Sequence, residues 1–115
     1  MVKKLPSPAH FLENREACAW IRDFVAHFAN PVRIKILCRL MQDSACVTEL
    51  VEATGERQST ISQQLKYLVL AGMVEREGRG TRNYYHITDP TVPETMRFLA
   101  DVAQRAGRIP EKSTS

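Results

Sequence analysis

Between residues 46 and 87 the chain places two short apolar-patterned segments on either side of Thr54-Gly55, then runs straight into strand-forming residues broken by Gly78 and Gly80. Few folds accept that order. The first segment, from Cys46 or Val47 to Ala53, turns Val47, Leu50 and Val51 to one side; the second, from about Ser59 to Ala71, does the same with Ile61, Leu65, Leu68 and Val69. Apolar residues three and four apart line one face of a helix. Gly55 and Gly72 follow the two segments, where a left-handed residue commonly ends a helix. Helices this short are not stable alone, so each must lay its apolar face on a neighbour. Met73 to Arg76 alternates as a short strand, Glu77-Gly78-Arg79-Gly80-Thr81 reads as the turn, and Arg82 to Ile87 returns with the β-favouring Tyr84, Tyr85 and Ile87.

The flanks extend this unit. From about Ala9 to Ala29 one helix is expected, because Phe11, Ala17, Cys18, Ile21, Phe24, Val25 and Phe28 recur at helical spacing, and Trp20 widens the stripe. That stripe exceeds what one small core needs, so a dimer seam is its expected use. Asn30-Pro31 reads as a cap and the first residue of a second helix through Met41, with Val32, Ile36, Leu37, Leu40 and Met41 inward. After the polar break Gln42-Asp43-Ser44 come the paired helices and the hairpin. Thr91 is then expected to cap a last helix from Val92 to Ala106, with Met96, Leu99, Val102 and Ala103 on one side. The expected fold is mainly α: a winged helix-turn-helix of five helices and a two-stranded β-hairpin, ordered as four helices, two strands and one helix. Residues 1–8 are expected to be a flexible arm, 9–107 the DNA-binding and dimerisation domain, and 108–115 a flexible tail.

Composition narrows the function. The 115 residues carry 16 Lys and Arg against 13 Asp and Glu, a formal charge of +3, and the basic residues Arg57, Lys66, Arg76, Arg79 and Arg82 gather around the second paired helix and the hairpin. A basic bias beside a protruding helix is the footprint of a nucleic-acid face. No apolar run reaches bilayer length, and the start Met-Val-Lys-Lys-Leu-Pro lacks a signal peptide's apolar stretch. A cytoplasmic protein with no membrane partner is expected, its three cysteines Cys18, Cys38 and Cys46 reduced and none in a Cys-x-x-Cys pair. No phosphate-cradling glycine loop, zinc-protease motif or nucleophile–base–orienter set is present, so an enzyme is not expected.

In a winged helix-turn-helix the second helix of the pair enters the major groove. Its early polar residues here are Gln58, Ser59, Thr60, Ser62, Gln63 and Gln64, with Gln63, then Thr60 and Gln58, best suited to base edges. Glutamine can bond adenine bidentately, and Ser or Thr can serve bases or phosphates. A solvated polar face is the alternative, and for Ser59 and Thr60 a capping role competes. Arg57, Lys66, Arg79 and Arg82 suit phosphates, with Arg79 also able to enter the minor groove. For Arg76 simple solubilisation is as good a reading. Tyr84 is assigned to the surface, where its hydroxyl can meet a phosphate, and Tyr85 to the core. The proposed dimer seam draws on Phe11, Cys18, Ile21, Met96, Leu99 and Val102. A winged helix used only for protein contacts is the competing class, and the basic hairpin beside a glutamine-rich helix argues against it.

These segments together resemble the ArsR/SmtB family of bacterial repressors. The resemblance rests on Asn30-Pro31-Val32-Arg33, Leu37, Cys46-Val47-Thr48-Glu49-Leu50, Ser59-Thr60-Ile61-Ser62-Gln63-Gln64-Leu65, Leu68, Ala71-Gly72-Met73-Val74, and Glu77-Gly78-Arg79 through Arg82-Tyr84-Tyr85. It spans roughly Phe24 to Ile87. It implies a homodimer built on the first and last helices, an imperfect palindromic operator in double-stranded DNA, and release by an effector. By the same resemblance Gln64 replaces a common histidine, which leaves the operator sequence open. The family's thiol metal site carries two cysteines one residue apart; here the first matches Cys46 but Thr48 takes the second place. The last helix lacks the family's zinc-site histidine. No cofactor is therefore firmly implied, and no metal ligand set is assigned. A thiol-reactive or small-molecule signal acting through Cys18 and Cys46 is one expectation, and a metal or metalloid bound by the same pair is the alternative. Cys38, at an apolar helical position, reads as a buried inert thiol, and for Cys18 that reading competes. His10 and His27 read as surface or packing residues, and His86 as lying between the hairpin and the last helix.

Overall fold

A computed structural model describes residues 6–111. Its elements are α1 (His10–Glu13), α2 (Arg15–Ala26), α3 (Pro31–Leu40), β1 (Ala45–Cys46), α4 (Val47–Thr54), α5 (Gln58–Leu70), β2 (Val74–Arg79), β3 (Arg82–Ile87) and α6 (Thr91–Arg105). The described residues therefore hold six helices and a three-stranded sheet, which corrects the expectation of five helices and a two-stranded hairpin.

Both differences have local causes. The expected first helix breaks at Asn14, whose backbone is extended (φ −121°, ψ 96°) and whose side-chain oxygen accepts from the Ala17 N–H at 2.9 Å. Asparagine satisfies a helix start better than it continues a helix, so the apolar stripe runs across two helices. The added strand is the dipeptide Ala45-Cys46, which pairs antiparallel with Tyr85 and Tyr84 and puts β3 in the centre of the order β1-β3-β2. Both residues are buried, and buried backbone groups need partners. The hairpin turn is also shorter than the sequence suggests. Arg79 pairs with Arg82 and Gly78 with Asn83, leaving a two-residue loop of Gly80-Thr81 with Gly80 at φ 64°. That left-handed conformation suits glycine in a tight hairpin. Thr91 begins α6 rather than capping it: the Asp89 carboxylate accepts from the Thr91 N–H at 2.9 Å and from its hydroxyl at 2.7 Å. The expected arm and tail fall partly on residues 1–5 and 112–115, outside the described residues.

The core lies between α3, α4 and α5 and extends to the sheet base and α6. Ile36, Leu37, Leu50, Ile61, Leu65, Leu68, Met73, Val74 and Val92 are all at most 2% exposed. Each buried aliphatic side chain of this size contributes roughly 1.5–3 kcal/mol through removal from water. Asn30 caps α3, accepting from the Val32 and Arg33 N–H groups at 2.8 and 3.1 Å. The α4–α5 turn is fixed at Gly55, where φ is 73°, and by a Lys35–Glu56 ion pair at 3.1 Å.

Glu49 anchors the start of α4. Its carboxylate accepts from the Cys46 N–H at 3.0 Å, and this bond, helped by the Cys46 side chain and by Arg39 and Arg82, holds its pKa below the usual glutamate value. A carboxyl depressed in the folded state contributes stability above its unfolded pKa and loses it as pH falls through the folded value. Acidification below about pH 4 should therefore lower the thermal midpoint of the native chain more steeply than that of Glu49→Gln, which keeps an acceptor but cannot titrate. Parallel midpoint-against-pH curves for the two proteins would contradict this role.

Candidate nucleic-acid interface

Ile61, Leu65 and Leu68 fix the orientation of α5 by facing the core, which sends Ser59, Gln63 and Lys66 to the opposite side. Arg57, Gln58, Ser59, Ser62, Gln63 and Lys66 are exposed, and Thr60 is half-buried on one flank. The residue before the helix is Arg57, whose side chain makes no capping bond. Ser59 and Thr60 lie inside the helix, and neither hydroxyl caps its start.

Gln64 sits differently from the other polar residues of α5. It is half-buried, and its Oε1 accepts from Arg33 Nη1 at 2.9 Å, so its carbonyl is committed within the protein. Arg33 appeared in the sequence only as part of the Asn-Pro-Val-Arg motif, and its contact across 31 residues leaves no local trace.

The β2–β3 hairpin stands beside α5. Near its tip the Arg79 guanidinium lies 4.6 Å over the Tyr84 ring and 3.3 Å from the Glu77 carboxylate, while Arg82 pairs with Arg79 across the strands. Tyr84 thus supports the arginine near the tip, and Tyr85, on the opposite face of β3, packs on the core. A groove of about 380 Å³ runs between helix and hairpin, lined by Ser62, Lys66, Val69, Leu70, Arg76 and Tyr85. It brings the cations Lys66 and Arg76 to one concave surface that also carries the Ser62 hydroxyl. Glu75, on the same strand as Arg76, lies 3.7 Å from His86.

The remaining candidates spread over the molecule. Phe11, Cys18, Ile21, Leu99 and Val102 are exposed on α1, α2 and α6, whereas Met96 is 9% exposed and belongs to the core. Cys18 donates its thiol to the Phe11 carbonyl at 3.4 Å. Cys46 is 3% exposed in β1, and all three thiols are free. Cys38 is exposed on α3, correcting its expected burial: Ile36, Leu37 and Leu40 take the inward face and leave residue 38 outside. Among the described residues no group of three or more His, Cys, Asp or Glu is placed to hold a metal ion, and no helix is long and apolar enough to cross a membrane. His27 packs on Phe24 and Tyr67. His10 is exposed in α1, and His86 faces a groove with α6 residues Pro93 and Arg97.

Comparison with known proteins agrees with this geometry. The bacterial regulatory protein, arsR family, matches residues 30–76. The chain is 34% identical to an HTH-type transcriptional regulator of Methanocaldococcus jannaschii over 76 residues, 65% of this chain and 85% of that protein. It is 43% identical to the HTH-type transcriptional repressor SmtB of Mycobacterium tuberculosis over 61 residues, which span 53% of this chain but only 45% of the repressor. The solution structure of a homodimeric winged helix-turn-helix DNA-binding domain from Mycobacterium bovis, described as a possible ArsR-family regulator, superposes with a TM-score of 0.67 at 30% identity, covering 85% of this chain and 94% of that one. With the paired helices α4 and α5, the hairpin and the three-helix core all in place, the chain belongs to the ArsR family of winged helix-turn-helix transcriptional regulators.

Proposed function

We propose that this protein is a cytoplasmic homodimeric repressor that binds a palindromic promoter operator in double-stranded DNA. The observation that carries the reading is the concave surface shared by α5 and the hairpin, where Lys66 and Arg76 flank a groove and Gln63 and Ser59 stand outward on the adjoining helix. Cations placed beside a groove-sized helix position a duplex through its phosphates, and the outward polar residues then read bases. Gln58, Thr60 and Ser62 extend the base-facing set; Arg57, Arg79, Arg82 and Tyr84 extend the phosphate-facing set. A two-fold dimer would present two such helices to the halves of a palindrome. The exposed apolar side chains of α2 and α6, and the homodimeric state of the Mycobacterium bovis domain, support that pairing. Cys46 is buried in β1 and Cys18 is exposed on α2, and among the described residues neither belongs to a group of three or more His, Cys, Asp or Glu placed to hold a metal ion.

Selection of bound duplexes from a random pool, followed by titration at several salt concentrations, tests the proposal. A single enriched palindrome with salt-dependent affinity is expected. Arg79→Ala should weaken binding to all duplexes and reduce the slope of log affinity against log salt by about 1, the signature of one lost phosphate contact. An unchanged slope would remove Arg79 from the interface, and no enriched sequence in the native protein would count against operator binding altogether.

A further inference from the structure

We infer that Arg33 is a positioning residue that fixes the angle of the reading helix, and that residue 64 serves this strut rather than base recognition. The inference rests on α5 being the DNA-facing helix. Arg33 stands in the first turn of α3 and is half-buried. Its Nε donates to the His27 carbonyl at 3.0 Å and its Nη2 to the Ala26 carbonyl at 3.1 Å. Those carbonyls lie at the end of α2, where the helix carries partial negative charge, and the Ala26 carbonyl accepts from the Ala29 N–H at 3.1 Å as well. From the same fork Nη1 donates to Gln64 Oε1 at 2.9 Å. The guanidinium carbon lies 4.0 Å from the centroid of the Tyr67 ring, and the Tyr67 hydroxyl is 2.6 Å from His27 Nδ1. Gln64 and Tyr67 are three residues apart, neighbours on one face of α5. One planar cation therefore joins the end of α2, the start of α3 and the side of α5.

The residue types follow from that task. A guanidinium only donates, so its partner on α5 must offer an oxygen, and the amide of Gln64 does. Lysine would bring a point charge without the rigid fork that reaches two helices at once or stacks on the tyrosine. No carboxylate forms an ion pair with Arg33 among the described residues; helix-end carbonyls and an aromatic face hold its charge instead. Gln64 thus leaves the base-reading set, and Arg33 and Tyr67 act through the helix without touching DNA.

Two experiments on the full chain test the strut, and only the second involves DNA. In thermal unfolding, Arg33→Met and Gln64→Met should each lower the midpoint by several degrees, and the double variant should fall well short of the sum, because both remove the same bond. On the duplex selected by the native protein, Gln64→Glu should bind within about threefold of native, since a carboxylate is a stronger acceptor for Arg33. Gln63→Glu, which sets a carboxylate among base edges in a groove walled by phosphates, should lose about tenfold or more. Arg33→Lys should lose about tenfold on the selected duplex while holding its affinity for random duplex, a loss of fit rather than of charge. Additive midpoint shifts, a Gln64→Glu loss as deep as that of Gln63→Glu, or an unchanged specific-to-random ratio in Arg33→Lys would each overturn the strut. Should the native protein select no duplex, the DNA reading falls, while the unfolding cycle still decides the strut.

Discussion

Leu65→Ala is expected to remove about 2–5 kcal/mol of folding stability. Leu65 is 1% exposed and sits in the middle of α5, between Ile61 and Leu68 on the same inward face. Deleting its three distal carbons removes the transfer free energy of a buried side chain and leaves a cavity that the packed core closes only in part. A domain of this size holds about 5–15 kcal/mol in total, so the loss is a large share. Urea unfolding followed by circular dichroism should show the midpoint moving down by about 1 M or more. DNA affinity should fall with it, because the helix that presents Gln63 is the one that lost its anchor. A midpoint within a few tenths molar of native would mean that α5 does not depend on this packing.

Leu99→Asp is expected to dissociate the proposed dimer while leaving the single chain folded. In the isolated chain Leu99 is 39% exposed on α6, beside Phe98 at 61% and Val102 at 41%, so a carboxylate there can reach water. Once the same face is covered by a second copy, the charge is buried without a partner, which costs about 3–5 kcal/mol. A symmetric interface carries the substitution twice. Sedimentation should report monomer at concentrations where the native protein is dimeric, and affinity for a palindrome should drop by at least about a hundredfold. The thermal midpoint of the diluted monomer should change little. Continued dimerisation would place the interface elsewhere, and Ile21→Asp on α2 is the companion change that separates the two helices' shares.

Much of this architecture is legible in residue order because its helices obey a 3.6-residue apolar period. Leu37, Leu50, Ile61, Leu65 and Leu68 fall inward on that rule, and Gly55 marks the turn of the helix pair. Features without a period are not legible. The break at Asn14 is hidden because Phe11, Ala17 and Cys18 keep helical spacing across it. Two residues cannot display the alternation of a strand, so Ala45 falls between the polar break and the next helix, and Cys46 reads as a candidate first residue of that helix. Spacing from Ile61 and Leu68 puts Gln64 on the edge of the inward face and Gln63 off it, but the bond to Arg33, remote in sequence, is not legible from that spacing. Cys38 shows the opposite limit: an apolar side chain one step off the inward face of α3 remains in water.

The antiparallel pairing of Ala45-Cys46 with Tyr85-Tyr84 ties the middle of the hairpin to the residue that opens α4. In the proposed complex that tie couples the hairpin carrying Arg79 to the helices, so its reach toward a duplex would follow the packing of the domain. On that proposal, differences in groove width among binding sites would fall to the DNA, and sequences that bend easily would gain affinity at base pairs no side chain touches.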